Sequence, residues 1–231
     1  MRPIADIAAL HRPVLDGQGL LRRPWVILGG APDPTLPAEL RQSHARVDVN
    51  NSGLTALRNG WGEADLTIRR PVESWEVHPE LQTRVLLWYS PRTRLRLRWK
   101  LLRQRRARVG TLISMTPDER ESIVYHHVGE ELRGIGDLGK PSTGIAGLCY
   151  GLFMGVPEIV LAGFSFSREG HSFDTLSRPR MQVPEDRFVL SKLAADPRVA
   201  TSEPELAADL GLRLWQPRPG NEGGRIDHGI T

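Results

Sequence analysis

Short apolar runs, separated by polar segments rich in glycine and proline, recur along the chain. The longer runs cover residues 25–28, 46–49, 64–68, 84–89, 110–115 and 158–164, and shorter ones cover 199–201 and 211–215. Brief runs rich in β-branched residues, apolar at almost every position, are typical of strands covered on both faces. We therefore predict an α/β fold: a Rossmann-like, mostly parallel sheet with helices on both faces and residues 199–201 as a late edge strand.

The segments between these runs carry helix signals. Thr116-Pro117-Asp118-Glu119 is a capping sequence with proline at the first helical position, so a helix is predicted to begin there. Further helices are predicted from Pro184 to Leu193 and from Glu203 to Leu210. Residues 1–24 are predicted to form an N-terminal arm, because Pro13 and the glycines and proline that follow it break any element longer than a turn or two.

The most apolar segment, residues 145–154, follows Pro141-Ser142-Thr143-Gly144 and stops at Gly155. This pattern predicts a capped, buried helix that leads into the strand at 158–164. Two hydroxyls and unpaired backbone N–H groups at the positive end of the helix dipole would stabilise a phosphate or a carboxylate. The alternative is that Ser142 or Thr143 only caps the helix and that Gly144 relieves a tight turn.

Composition fits one large domain with a sizeable core. The chain has 231 residues, a formal net charge of +4 and one cysteine, Cys149, which lies among apolar neighbours and indicates neither a disulfide framework nor a cysteine metal site. No segment has the apolar length of a membrane span or a signal peptide, so a cytoplasmic location is expected. We predict a Rossmann-like domain over residues 25–216 and a disordered tail over 217–231.

Basic residues are concentrated in one segment, since nine of the seventeen residues from Arg92 to Arg108 are arginine or lysine. We favour a basic amphipathic helix, a small lid or insertion at about residues 90–108. Trp99 and the leucines would contact a core or a membrane surface, and the arginines would face anionic headgroups or an anionic substrate. A solvated face is the alternative, and a nucleic-acid surface is less favoured because no recognised motif accompanies the charge.

Candidate ligand-binding residues follow the predicted strands. Gly29, Gly30, Ala31 and Pro32 form a loop after the first strand, where glycines leave room for a phosphate or ribose, although neither a GxGxxG nor a GxxxxGK[ST] motif is present. The second strand ends at Asn50-Asn51, whose carboxamides are placed either to contact a base, ribose or sugar carboxylate or to form a turn.

The loop after the strand at 158–164 is the other candidate, because α/β folds keep their chemistry at the carboxyl ends of their strands. It runs from Ser165 through Ser167, Arg168 and His171 to Asp174. His171 is the histidine of this loop and our candidate general base, with a purely structural role as the alternative.

Three pieces of the chain, in this order, resemble the donor-binding motifs of sialyltransferases, both the bacterial enzymes of glycosyltransferase family 42 and the animal enzymes of family 29. They are Val26 to Pro32, which resembles a strand with a GNGPS or GNSG loop; Val49-Asn50-Asn51; and Pro141-Ser142-Thr143-Gly144 with the strand that ends at Gly163-Phe164. The match spans about Trp25 to Asp174. The chain departs from the family in having Asp33 where serine is common.

The resemblance implies a GT-A-like variant of the Rossmann fold and inverting transfer of an acidic sugar from a CMP-sugar donor to a hydroxyl of a glycan or glycolipid, without a metal or another cofactor. It assigns donor binding to the loop after the first strand, to the asparagines, to the helix start and to residues 163–165. The donor residues are Gly29, Gly30, Ala31, Pro32, Asn50, Asn51, Ser142, Thr143, Gly144, Gly163, Phe164 and Ser165. Ser167 and Arg168 would stabilise the leaving phosphate, and His171 would take the acceptor proton.

Two other functions remain open. A diphosphokinase of the pterin type has a similar glycine-rich loop and Thr-Gly helix start, and it would need Mg²⁺ held by carboxylates such as Asp33, Asp48 and Asp137. The other is a non-enzymatic basic module that binds membrane or nucleic acid through Arg92 to Arg108.

Overall fold

A computed structural model describes residues 3–70, 75–173 and 180–217 and contains eight strands and eight helices within them. The strands are β1 (Trp25–Leu28), β2 (Ala45–Val49), β3 (Ala64–Arg69), β4 (Gln82–Tyr89), β5 (Arg108–Met115), β6 (Ile159–Ala162), β7 (Val199–Thr201) and β8 (Arg213–Leu214). The helices are α1 (Ile4–Gly17), α2 (Ala38–Ser43), α3 (Gly53–Arg58), α4 (Arg94–Leu102), α5 (Pro117–Val128), α6 (Thr143–Met154), α7 (Val183–Leu193) and α8 (Pro204–Leu210).

The eight strands form one sheet in the order β5-β4-β3-β2-β1-β6-β7-β8. All seven neighbouring pairs are parallel. The prediction of an α/β, Rossmann-like sheet is therefore confirmed. The assignment of residues 199–201 to an edge strand is wrong, because β7 lies between β6 and β8.

Side chains that alternate along the strands bury both faces of the sheet. On one face, Ile27 and Leu161 belong to a large core that α1, α5, α6 and α7 cover. On the other, Val26 and Val160 pack with Leu40 of α2, and a separate cluster around Trp88 receives α4. This double burial is the reason why the strands are apolar at nearly every position.

The expectation that the N-terminal segment is too broken for a helix is wrong. Helix α1 has fourteen residues and contains Pro13. Ile7, His11 and Leu15 recur every four residues and are all buried, and His11 Nδ1 lies 3.1 Å from the hydroxyl of Tyr150 in α6. Packing on the core therefore outweighs the backbone hydrogen bond that a proline removes from a helix interior.

The basic segment does form a helix, α4, but its apolar residues divide between two faces. Leu97 is buried against the sheet, whereas Leu95, Trp99 and Leu102 are 76%, 62% and 77% exposed. Of the two contacts expected for Trp99 and the leucines, a core or a membrane surface, the core contact is made only by Leu97 and the half-buried Leu101. Among the described residues, no helix has the length and apolar character needed to cross a bilayer. The predicted tail lies outside the described residues, apart from residue 217.

Candidate functional site

The order of the strands creates a crevice at the carboxyl end of the sheet. From β1 the chain continues to β2 on one side, whereas β6 adds to the other side of β1, so the loops that follow β1 and β6 leave in different directions. Open α/β sheets bind ligands at such a switch point. The loop residues that the sequence predicted as a site, Gly29 to Pro32 and Gly163 to His171, border this crevice.

Backbone contacts hold the two loops tightly together. Ala31 N–H donates to the carbonyl of Gly163 at 2.8 Å, and Gly29 N–H donates to Ala162 at 2.8 Å. A Cβ atom at Gly29 would collide with the Gly163 carbonyl oxygen and would lie 2.9 Å from the ring of Phe164. Gly29 is therefore required for the close packing of two protein loops. From the sequence, its lack of a side chain had instead been assigned to room for a ligand.

Glu203 joins three loops at the carboxyl end of the sheet. It was not identified as a site residue from the sequence. Its buried carboxylate accepts from Gly163 N–H at 2.7 Å and from Thr35 N–H at 2.9 Å. It also pairs with the guanidinium of Arg168 at 2.6 Å, and that guanidinium donates to the carbonyls of Pro32 and Asp33. Arg168, predicted to stabilise a leaving group, thus directs three hydrogen bonds to the walls of the crevice.

The start of α6 is partly covered by the protein itself. Ser142 caps the helix, as predicted, since its hydroxyl accepts from Ile145 N–H. The ring of Phe164 lies over Gly144, where a Cβ atom would come within 2.5 Å of it. Gly29 and Gly144 therefore contact the same aromatic ring, and Phe164 separates the loop after β1 from the helix start.

A carboxylate of the chain stands at the amino end of α6, where the sequence predicted an external anion. Asp186 of α7 accepts from Ser142 N–H at 2.6 Å and is 8% exposed. Burial raises the pKa of this carboxyl to about 7, against the lowering effect of the hydrogen bonds from Ser142. The dipole of α6 and the Ser142 N–H therefore stabilise a buried side chain of the protein.

The two asparagines after β2 connect to β3. Asn50 adopts a left-handed backbone conformation with φ of 54°, and its side-chain oxygen accepts from Arg70 N–H at 3.1 Å. Asn51 Oδ1 accepts from the guanidinium of Arg69 at 3.0 Å. Arg69 is fully buried and lies 4.5 Å from the centre of the Trp75 ring. The position of the Asn51 amide is thus fixed by a buried cation.

His171 lies against the loop after β1. A Cβ atom at Gly30 would be 3.0 Å from His171 Nδ1, and Ser172 N–H donates to the Gly30 carbonyl at 3.0 Å. The imidazole stacks on Phe173 with ring centres 4.9 Å apart. Its Nδ1 is buried and has no hydrogen-bond partner within the described part of the chain. The structure therefore places His171 beside Gly30, as is required if the two loops form one site.

The crevice opens into a cavity of about 580 Å³ beside His171, lined by Pro32, Asp33, Pro34, Thr55, Arg58, Asn59, His171 and Ser172. Arg58 of α3 supplies a cation there, and its guanidinium donates to the Ser172 carbonyl at 2.7 Å. The Thr55 hydroxyl lies 2.5 Å from that of Ser172. The sequence interpretation missed this wall because α3 has only six residues, too few to show a helical period.

A larger cavity, of about 840 Å³, lies along α5 and the segment at 129–141. Its lining carries four acidic residues, Asp118, Glu121, Glu130 and Glu131, against two basic ones, Arg133 and Lys140, so its net negative charge is unfavourable for an anionic ligand. The smaller cavity has one carboxylate, Asp33, beside Arg58 and His171. For a phosphate or a sugar carboxylate, the cavity at the switch point is therefore the better site.

The carboxylates considered as Mg²⁺ ligands do not gather. Asp48 is buried in an ion pair with Arg46, at 3.1 Å, and burial raises its pKa to about 6. In the described residues, no group of three or more histidine, cysteine, aspartate or glutamate side chains is arranged to hold a metal ion. Asp48 is thus held in a buried ion pair on β2, an interior strand of the sheet.

Fold and site together define a parallel, Rossmann-like α/β protein with a ligand crevice at the switch point between β1 and β6. Among solved structures, the chain is similar to the α-2,3-sialyltransferase Cst-I from Campylobacter jejuni, with a TM-score of 0.51, 13% identity and coverage of 90% of this chain and 88% of that one. It is also similar to CstII from Campylobacter jejuni, solved with cytidine-5'-monophosphate, with a TM-score of 0.53, 12% identity and coverage of 83% and 84%.

A variant of CstII with a single tyrosine-to-phenylalanine substitution, solved with CMP, gives a TM-score of 0.51 at 14% identity, with coverage of 83% of this chain and 86% of that one. By sequence, no protein-family model and no curated protein matches the chain significantly. At these identities the likeness establishes a shared fold, which is the GT-A-like fold that the sequence resemblance implied.

Proposed function

We propose that this protein is an inverting sialyltransferase-like glycosyltransferase, which moves sialic acid or a related ulosonic acid from a CMP-sugar to a hydroxyl of a glycan or glycolipid. The observation that carries the proposal is the position of His171, against Gly30 and in the cavity at the switch point. Support also comes from the fold shared with sialyltransferases that were solved with CMP bound.

In the proposed reaction, the acceptor hydroxyl oxygen attacks the anomeric carbon while the bond from that carbon to the phosphate oxygen of CMP breaks. The acceptor proton passes to the imidazole of His171, and the electron pair of the broken bond leaves with CMP. His171 lines the cavity, which places its imidazole within reach of an acceptor hydroxyl bound there. Inversion follows from the single displacement.

The donor is proposed to lie in the cavity beside the loops after β1 and β6, with its anionic groups toward Arg58. We propose that Arg58 contacts the phosphate or the sugar carboxylate, because its guanidinium lines the cavity. Ser167 and Arg168 remain predictions for the leaving group, although the hydrogen bonds of Arg168 go mainly to Glu203 and the loop after β1. Asn51 and Ser142 likewise remain predicted donor contacts.

We further propose that transfer needs no divalent metal, since side-chain cations and backbone N–H groups are available to stabilise the departing charge. Activity that is unchanged by EDTA would support this, whereas activity restored by Mg²⁺ after EDTA treatment would favour the diphosphokinase alternative. The cytoplasmic location expected from the sequence stays a prediction.

A thermal-shift panel of CMP, CDP, UDP, GDP and ATP tests the donor class. A ligand at a hundredfold its dissociation constant stabilises the folded state by about 2.7 kcal/mol, so selective stabilisation by CMP is expected. Gly30→Val, which places atoms against His171 and Phe173, should remove the CMP shift, and the control Gly17→Ala should keep it. A panel in which ATP or GDP gives the largest shift contradicts the proposal.

A further inference from the structure

Helix α4 presents an apolar stripe to solvent. Leu95, Trp99 and Leu102 are spaced by four and three residues, so at about 100° per residue they lie on one side of the helix. All three are more than 60% exposed, at 76%, 62% and 77%. Large apolar side chains that are exposed together mark an interaction surface more often than those scattered singly.

The opposite side of α4 is anchored to the sheet. Leu97 is 1% exposed and packs in the cluster with Trp88 and Leu112, and Leu101 packs against the same cluster. Arg94 adds a hydrogen bond of 2.8 Å to the Leu112 carbonyl. The stripe therefore belongs to a helix whose own core contacts are already made.

Cationic side chains surround the stripe. Arg96 and Arg98 lie on its two flanks. The turn after α4 and the first residue of β5 add Arg103, Arg105, Arg106 and Arg108, all exposed. The guanidinium of Arg103 lies 4.5 Å from the centre of the Trp99 ring. Along the chain the nearest acidic residues are Glu80 and Asp118. Among the described residues, no carboxylate forms an ion pair with any basic residue from Arg92 to Arg108.

We propose that this surface, α4 with the turn through Arg108, binds anionic lipid bilayers. Leu95, Trp99 and Leu102 enter the boundary between headgroups and acyl chains, and the arginines contact the negatively charged headgroups. The charge alone would also suit nucleic acid, but three exposed apolar side chains between the arginines gain nothing from a phosphate backbone and do gain from an acyl layer. The proposal is independent of the transferase activity.

Flotation with lipid vesicles tests it, using the whole chain with vesicles of phosphatidylcholine alone and with phosphatidylglycerol and phosphatidylcholine in equal parts. Binding is expected only to the anionic vesicles and should weaken with added salt. The double substitution Arg96→Ala with Arg98→Ala should weaken binding about fivefold for each arginine, which corresponds to about 1 kcal/mol each. Arg41→Ala, on exposed α2, is the matched control and should bind as the unaltered protein does.

The apolar stripe needs its own variants. The double substitution Leu95→Ser with Leu102→Ser should reduce binding at least tenfold, roughly the loss expected when two apolar side chains no longer enter the bilayer. The control is Leu10→Ser on α1, where Leu10 is 50% exposed, and it should leave binding unchanged. Trp99→Phe should keep binding but lose the vesicle-induced blue shift of tryptophan fluorescence. Circular dichroism checks that each variant is folded.

Three results would overturn the proposal: no binding to anionic vesicles, equal binding to neutral ones, or binding that survives loss of the stripe. Tight binding to a short DNA duplex or RNA strand without vesicle binding would instead assign the surface to nucleic acid.

Discussion

Glu203 and Arg168 form an ion pair of 2.6 Å that joins the loop after β6 to the start of α8. The Glu203 side chain is 2% exposed, and it also accepts from Gly163 and Thr35 N–H, so one carboxylate holds the three loops around the crevice. Because its other partners are the Gly163 and Thr35 N–H groups and the Thr35 hydroxyl, all in the crevice walls, the shape of the site depends on a residue that need not touch substrate.

We expect Glu203→Ala to destabilise the fold by about 3 kcal/mol, because it leaves a guanidinium and two N–H groups without their acceptor. The control is Glu205→Ala, whose 63% exposed carboxylate lies 3.6 Å from the same guanidinium and should contribute less than about 1 kcal/mol. Urea unfolding measures both variants. Equal losses would contradict the clamp that we assign to Glu203.

We expect His171→Ala to lower the turnover of sugar transfer by about 10²-fold to 10⁴-fold, the usual range for a general base. CMP should still bind, so the thermal shift with CMP should remain. Initial rates with a CMP-sugar and a glycan acceptor measure the effect. His126→Ala on α5 is the control, and a His171→Ala protein with full turnover would limit this histidine to a structural role.

Gly144→Ala should weaken CMP binding and destabilise the fold by about 1–3 kcal/mol, because its Cβ atom would come within 2.5 Å of the Phe164 ring. Gly17→Ala is the matched control, since a Cβ atom there meets nothing within 4 Å. Thermal unfolding with and without CMP separates the two effects. Gly144→Ala with unchanged stability would mean that Phe164 moves aside freely.

The buried Asp186 should make stability fall as pH rises. Its pKa is about 7 in the folded protein and near the ordinary value of 3.8 when unfolded, so its contribution is complete below pH 4 and is lost as pH rises through 7. Asp186→Asn keeps an acceptor for Ser142 N–H and cannot titrate. As pH rises from 4 to 7, the free energy of unfolding of this variant should therefore increase relative to that of the unaltered protein by on the order of 3 kcal/mol.

Urea unfolding at a series of pH values measures that difference, and a difference that does not depend on pH would contradict the raised pKa. Comparison of the two proteins is essential, because burial lowers the pKa values of His78 and His127 to about 4 and gives stability the opposite dependence on pH. In the control His78→Gln, the rise of stability with pH that is due to the buried histidines should be smaller, and the fall of stability with pH that is due to Asp186 should remain.

The strands and the best-capped helices were predictable because their signals are local. Thr116 and Glu119 form the predicted capping box, and Ser142 caps α6 as predicted. Helix α1 was missed because Pro13 was expected to break the segment, and the four-residue spacing of Ile7, His11 and Leu15, which indicates a helix, was not considered. Helices α2 and α3 have six residues each, too few for a period to show.

The site was predictable only in part, since its decisive contacts join residues far apart in sequence. Local pattern placed glycines, hydroxyls and His171 at strand ends, and the switch point brings them to one edge. No local signal shows that Asp186 receives the Ser142 N–H or that Glu203 clamps Arg168. Such pairings depend on how α7 and α8 pack, which the sequence of either partner does not reveal.

The pairing of β1 with β6 has a consequence for folding during synthesis. Trp25 pairs with Ile159, so the middle of the sheet closes only after most of the chain has left the ribosome. Pairings of such high sequence separation form slowly. Until β6 is synthesised, one edge of β1 is an unpaired apolar strand, which is a site for aggregation of the nascent chain.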